Sequence, residues 1–349
     1  MVSIFPAIVR THNTIFPQGE SLDARGPRRG LPAGHREDVS FTTNARAASI
    51  ERRQNGEVTF RRLTCGITVI LMSLALMAPE SNGATSKQIP VTSPCGVTGT
   101  VLYSHVVWIM LENVGYSIVG SPSAPYFNQL ASRCGLATND YAISHPSLPN
   151  YIALTSGSTQ GISDDGEPSS HVLPAPSIFS ELGSNWKALV ESMPAACDHV
   201  TSGQYAARHN PAVYYTRVAT SCRRQDVPMS LPLRLSAGFT MIVPNICDDM
   251  HSCPVATGDT WLRRIVPLIL ASSQYQSRSL IVFITFDEND AMASNQIPTL
   301  VIAPSVPQGK RVALRFTHYS LLKTTETLLH VAPLGQARTA RSMIAPFHL

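Results

Sequence analysis

Residues 280–286 read LIVFITF, and Asp287-Glu288-Asn289-Asp290 follow at once. Seven consecutive apolar and β-branched residues are the right length for a strand, and a carboxylate pair at the end marks a strand-to-loop exit. Two similar runs lie upstream. HVVWIML (105–111) stops at Glu112-Asn113, and FTMIV (239–243) ends at Pro244-Asn245 and leads into the loop ICDDMHSC (246–253). Further short strands are expected at 136–143, 186–190 and 297–303. Helical patterns are expected at 124–133, 177–182 (Ser177 as cap), 259–271 (Pro267 inside) and 317–330 (Thr317 as cap), with a further helix opening at Asn150. Strands alternating with helices imply an α/β fold with a largely parallel sheet. In such sheets ligands bind beyond the carboxyl ends of the strands. The acidic segments at Glu112, Asp248-Asp249 and Asp287-Glu288 all fall there.

One more stretch faces the same end. Residues 145–157 read HPSLPNYIALTSG. Ser147 lies between Pro146 and Pro149. Each proline fixes its own φ and disfavours the α region for the residue before it. Ser147 is therefore expected to end an extended segment, facing the first turn of the following helix, where free backbone N–H groups attract anions. That is a useful place for a nucleophilic hydroxyl. Carboxylates gathered around it repel one another unless a counter-charge is present. One or two divalent cations would supply it and would polarise a phosphoryl oxygen. Glu112, Asp287 and Glu288 are the ligands expected for the first. Asn113 adds an amide oxygen ligand or a donor to phosphate. Asp249 and His251, with His318 from RFTHYS, are expected to form a second N/O cluster. Mixed ligands suit zinc, manganese or iron, and all-oxygen ligands suit magnesium or calcium. Arg208 and His209 are read as phosphate contacts, Asn150 as a substrate-side residue, and His145 as part of the catalytic group. The chemistry expected is attack of Ser147 on phosphorus, a phosphoseryl intermediate, and its release by water.

The totals bound this reading. Of 27 basic and 23 acidic residues, residues 1–84 hold 10 and 7, leaving 17 against 16 in the rest of the 349-residue chain. A near-neutral body excludes nucleic acid as the main partner, and no stable protein partner is implied. Residues 61–84 place two arginines before an apolar stretch, Leu63 to Met77, and a small-residue exit. This is the layout of a secretory signal, and about 15 apolar residues fall short of a spanning helix. A retained membrane anchor is the alternative. Residues 1–57, rich in Arg, Gly and Pro, are expected not to order. They read as an over-long start ahead of a signal at 58–84. The catalytic domain is then 85–349, with an irregular insertion at 193–238 folded over the site. Seven cysteines are present. Cys65 lies in the apolar run, and the other six suggest disulfides in an exported chain, with Cys197–Cys222 and Cys247–Cys253 the local pairs.

The stretches WIMLEN, GLATNDYAISHPSLPNYIALTSG, YAARHNP, PNICDDMH with GDTWL, FITFDEND and RFTHYSLLKTTE run in order from Val106 onward. They resemble the secreted phosphoesterase family that joins bacterial acid phosphatases and phospholipase C-type enzymes, within the alkaline-phosphatase-like superfamily. Within it they are similar to actinobacterial secreted acid phosphatases of the phosphatidylinositol 3-phosphate phosphatase type. The resemblance implies a three-layer αβα sandwich and a phosphate monoester or phospholipid head group as substrate. It implies Ser147 as nucleophile, Glu112, Asn113, Asp287 and Glu288 around one metal, and Asp249, His251 and His318 around a second metal or the phosphate. Val114 departs from the His or Arg, and Phe286 from the Trp, that relatives commonly carry. A phospholipase C-type phosphodiesterase is the first alternative. A non-catalytic disulfide-bonded surface protein is the second.

Overall fold

The computed structural model describes residues 93–291 and 294–349. The expected unordered start (1–57), the expected signal (58–84) and Cys65 lie outside the described residues. The apolar runs form strands in chain order: β1 (His105–Leu111), β2 (Gly135–Tyr141), β3 (Trp186–Val190), β4 (Asp226–Pro228), β5 (Phe239–Val243), β6 (Leu280–Phe286), β7 (Gln296–Ile302), β8 (Arg311–Val312) and β9 (Phe316–Thr317). They make one sheet in the order β4-β3-β5-β1-β6-β7-β2-β8, with β9 also on β2. β1 is parallel to both β5 and β6, and β3 to β4 and β5. Among the described strands only β7 runs antiparallel, against β6 and β2. All seven residues of β6 are buried, so both faces of the sheet must be covered.

The cover comes from helices α1 (Pro125–Arg133), α2 (Ser147–Ser156), α3 (Ile178–Glu181), α4 (Ala219–Gln225), α5 (Val255–Leu270), α6 (Ser273–Gln276), α7 (His318–Leu328) and α8 (Ile344–Phe347). Strand side chains alternate between faces. Trp108 of β1 turns toward α7, where its indole N–H donates to Thr325 Oγ1 at 3.0 Å. Phe286 of β6 has the opposite parity and meets Phe127 of α1, ring centroids 6.1 Å apart. α2 packs with α7 and α1 with α5. The result is an αβα sandwich.

One long helix departs from its expected start for a traceable reason. α5 begins at Val255 behind Pro254, an N-terminal residue that needs no N–H of its own. Asp259, expected to open it, serves α1 instead. Its carboxylate accepts the N–H groups of Tyr126 at 3.0 Å and Phe127 at 2.7 Å. Asp259→Ala strands both donors and is expected to cost about 2 kcal/mol of unfolding free energy, read from urea denaturation. α7 does start where expected: Thr317 and Ser320 form a reciprocal capping box.

The segment 193–238 is not wholly irregular. It carries α4 and the edge strand β4, both too short to show a hydrophobic period. Among the described residues three disulfides pin the chain: Cys95–Cys134, Cys197–Cys222 and Cys247–Cys253. No helix among the described residues is long and apolar enough to cross a membrane.

Candidate active site

Register builds the site. Leu111 of β1 pairs with Phe286 of β6, so the next residues, Glu112 and Asp287, emerge side by side. The ladder runs one step further, with the Asp287 N–H donating to Leu111 O at 3.0 Å and the Glu112 N–H to Asp249 O at 2.8 Å. Both acids share the parity of Trp108 and Phe283, so their side chains turn to the face that α2 and α7 cover. The loop after β5 brings in Asp249 through the same main-chain bond.

Ser147 arrives from the helix side. It is the first residue of α2, with Pro146 as N-cap, rather than the last residue of an extended segment. The first-turn N–H groups of a helix have no helical acceptor, so Pro149 in that turn costs no hydrogen bond. Asn150 fixes the approach. Its Oδ1 accepts the N–H groups of Ile143 and Ser144, both at 2.9 Å, and its Nδ2 donates to Ser144 O at 2.9 Å and Pro146 O at 3.1 Å. The amide is thus committed to the turn and is buried. Those four bonds use both ends of the amide and leave it no free group for the substrate contact expected of Asn150.

The structure brings Ser147 together with the acids. Ser147 Oγ lies 3.1 Å from Glu112 Oε2, 3.3 Å from Glu288 Oε1 and 3.5 Å from Asn113 Oδ1. His145 Nδ1 pairs with Glu288 Oε2. One turn along α2, the Tyr151 hydroxyl donates to Glu112 Oε1, and its ring stacks on His209 at 5.6 Å and 12°. The sequence reading does not single out Tyr151, although a spacing of four from Ser147 on a helix puts both on one face.

The second expected cluster is rearranged. Asp249 is joined by His209 and Glu112, not by His251 and His318. His209 Nδ1 lies 3.1 Å from Asp249 Oδ2 and its Nε2 3.4 Å from Glu112 Oε2. These three buried residues offer ligand atoms within 4.8 Å of one another. His251 gives Asp249 only its main-chain N–H, at 2.8 Å. Its ring is turned outward, with Nε2 3.4 Å from Arg208 Nη2. His318 is buried at the start of α7, where Nε2 meets the main-chain carbonyl of Asp287 rather than a carboxylate. Arg208 stands at the rim, its Nε 3.8 Å from Asp165 Oδ2.

Crowding acids out of water sets the electrostatics. Burial, then the charges of Asp287 and Asp249, holds the Glu112 carboxyl well above its usual range. Burial first, and the neighbouring Glu288 charge second, lifts Asp287 to about 7. Burial chiefly, with the charge of Asp287 adding to it, lifts Asp249 to about 8, and burial lifts Glu288 to about 7. Burial also pushes His209 well below its ordinary value and His318 down to about 4. The donor set fits a divalent cation. Asp287 Oδ2 is buried without a hydrogen-bond partner. The Asn113 amide oxygen faces only acceptors, and turning it round lets its nitrogen donate to Asp287 Oδ1 at 3.2 Å and Glu112 Oε2 at 3.0 Å. An oxygen set among carboxylates is sensible where a cation sits between them. A cavity of about 770 Å³ lies beside α1 and α6 and shares no lining residue with this cluster.

The sandwich superposes with a TM-score of 0.50 on a protein in the alkaline phosphatase superfamily from Vibrio parahaemolyticus, at 14% identity over 71% of each chain. That likeness is one of fold. At the level of sequence, the phosphoesterase family model matches residues 120–332, and the chain belongs to that family of phosphoric ester hydrolases. It is 29% identical over 285 residues to a phosphatidylinositol-3-phosphatase of Mycobacterium tuberculosis, covering 78% of this chain and 93% of that protein. It is 27% identical over 283 residues to a phosphate-repressible acid phosphatase of Penicillium chrysogenum, covering 74% of this chain and 66% of the fungal protein.

Proposed function

We propose that the chain is an exported, metal-dependent phosphatase that hydrolyses phosphate monoesters, phosphoinositide head groups among them, through a phosphoserine intermediate on Ser147. The observation that carries this reading is the approach of Ser147 Oγ, at a helix N-terminus, to Glu112, Glu288 and Asn113. Glu112, Asn113, Asp287 and Glu288 would hold a divalent cation, with Asp249 and His209 beside them. When bound, the ion supplies positive charge for the developing alkoxide and the phosphoryl oxygens.

The chain's own groups do the rest. Glu112 and Glu288, as acceptors, draw the Ser147 proton as Oγ bonds to phosphorus. The ester P–O bond breaks, and the alcohol leaves with a proton. His145 is paired through Nδ1 with Glu288, which leaves its other nitrogen to carry that proton at the mouth. Water then attacks the phosphoserine, phosphate departs, and Ser147 regains its proton. Tyr151 keeps Glu112 in place. Arg208 at the rim is a fork suited to phosphoryl oxygens. Three disulfides support export, since such bonds persist in oxidising compartments.

The test compares p-nitrophenyl phosphate with a choline phosphodiester, before and after a chelator. Monoester turnover that stops with the chelator and returns with Mg²⁺, Mn²⁺ or Zn²⁺ is expected. Turnover untouched by the chelator removes the metal from the reading, and preference for the diester replaces it with the phospholipase C-type activity.

A further inference from the structure

Helix geometry leaves few free donors at the mouth of α2. Pro149 has no N–H, and Asn150 is the first residue whose N–H reaches back to the N-cap carbonyl. Ser147 and Leu148 therefore hold the free first-turn N–H groups, and a phosphoryl group on Ser147 would meet them. In the structure the Leu148 N–H is already taken: it donates to Asp165 Oδ1 at 2.9 Å. The other oxygen, Asp165 Oδ2, lies 3.8 Å from Arg208 Nε. That Nε is buried and has no hydrogen-bond partner. Asp165 also acts electrostatically on Glu288 and His251. A carboxylate that takes a helix N-terminal N–H with one oxygen and faces a guanidinium with the other reproduces two of the contacts a phosphoryl group makes.

We propose that Asp165 is an internal stand-in for the substrate's phosphoryl group, and that a phosphate monoester binds fully only after displacing its carboxylate from the Leu148 N–H and Arg208. This rests on the reading of Ser147 as phosphoryl acceptor. The Asp165 side chain is 36% exposed, so it has solvent to swing into. Displacement favours ligands carrying two negative charges, which repel the carboxylate and outbid it for the donors. A singly charged diester does so less well. The same residue helps product leave, because it returns to the donors as phosphate departs.

The experiment uses the full chain as wild type, Asp165→Asn and Asp165→Ala. It measures the competitive inhibition constant of inorganic phosphate against p-nitrophenyl phosphate, and phosphate binding by calorimetry. Asp165→Ala is expected to bind phosphate about tenfold more tightly. Asp165→Asn keeps an oxygen for the Leu148 N–H but loses the charge, so it should fall between. If the alanine variant does not fold, as judged by circular dichroism, the asparagine variant carries the test. Folded variants that bind phosphate as weakly as wild type make Asp165 a helix cap and overturn the proposal. Weaker binding makes it an orienter of Arg208 and overturns it too. Wild-type protein that neither turns over monoesters nor binds phosphate removes the parent reading, and this one with it.

Discussion

Ser147→Ala is expected to lower kcat for p-nitrophenyl phosphate by at least about a thousandfold while the protein still folds, because in the proposed reaction the substitution removes the atom that bonds to phosphorus. Ser147 is buried at the first position of α2, and its side chain makes no bond that closes the helix. The turn is held by Asn150, which the substitution leaves alone. Circular dichroism and thermal melting should therefore match wild type, and only turnover should collapse. The outcome separates the competing readings sharply. A disulfide-bonded surface protein without catalysis has nothing to lose at this position. An enzyme using water directly, with Ser147 only as a cation ligand, loses metal affinity first and recovers turnover at high metal concentration. An enzyme using Ser147 as nucleophile does not recover.

Much of this arrangement is readable from sequence because it follows from strand parity. Runs such as LIVFITF and HVVWIML are strands by composition, and the acids directly after them inherit both position and direction from the register. Thr317 and Ser177 are legible as caps because cap chemistry is local. Cys197–Cys222 and Cys247–Cys253 close short loops, whereas Cys95–Cys134 joins the segment ahead of β1 to the end of α1 across 39 positions and has no local signature. Phe286, in place of a tryptophan, packs edge-on against Phe127 and fits the core as it stands.

The misses share a cause. Which histidine meets Asp249 depends on where the 193–238 segment lies in space. His209 reaches Asp249 from there, while His251, its neighbour in sequence, turns its ring to the rim. Asn150 was readable as polar and near Ser147, but not as fully spent on four backbone bonds. β4, β8 and β9 are two or three residues long and exist only because a neighbouring strand offers a free edge. Asp165 lies in an acidic loop whose sequence, DDGEP, reads as a solvated turn.

The acids also predict an inverted pH dependence for the metal-free protein. Asp287 and Glu288 sit at about 7 and Asp249 at about 8, against ordinary carboxylate values of 3.8 to 4.5, with Glu112 raised as well. A carboxyl whose folded value is raised binds more protons in the native state than in the unfolded one, so stability falls as pH rises toward the folded value. His209 and His318 act oppositely, since both are held below 6.5 and only the unfolded chain protonates there. Their effect is confined to pH below about 6.5. Between about pH 6.5 and 8.5 the carboxyls act unopposed. Chelator-treated protein should then lose at least about 5 °C of melting temperature across that interval. A saturating divalent cation should reverse the sign, because the ion binds deprotonated carboxylates and its affinity grows as they ionise. Chelated protein that melts higher at pH 8.5 than at 6.5 would mean the acids are already neutralised by something other than protons. The crossing of the two curves, rather than either alone, is what ties the buried charge to a cation.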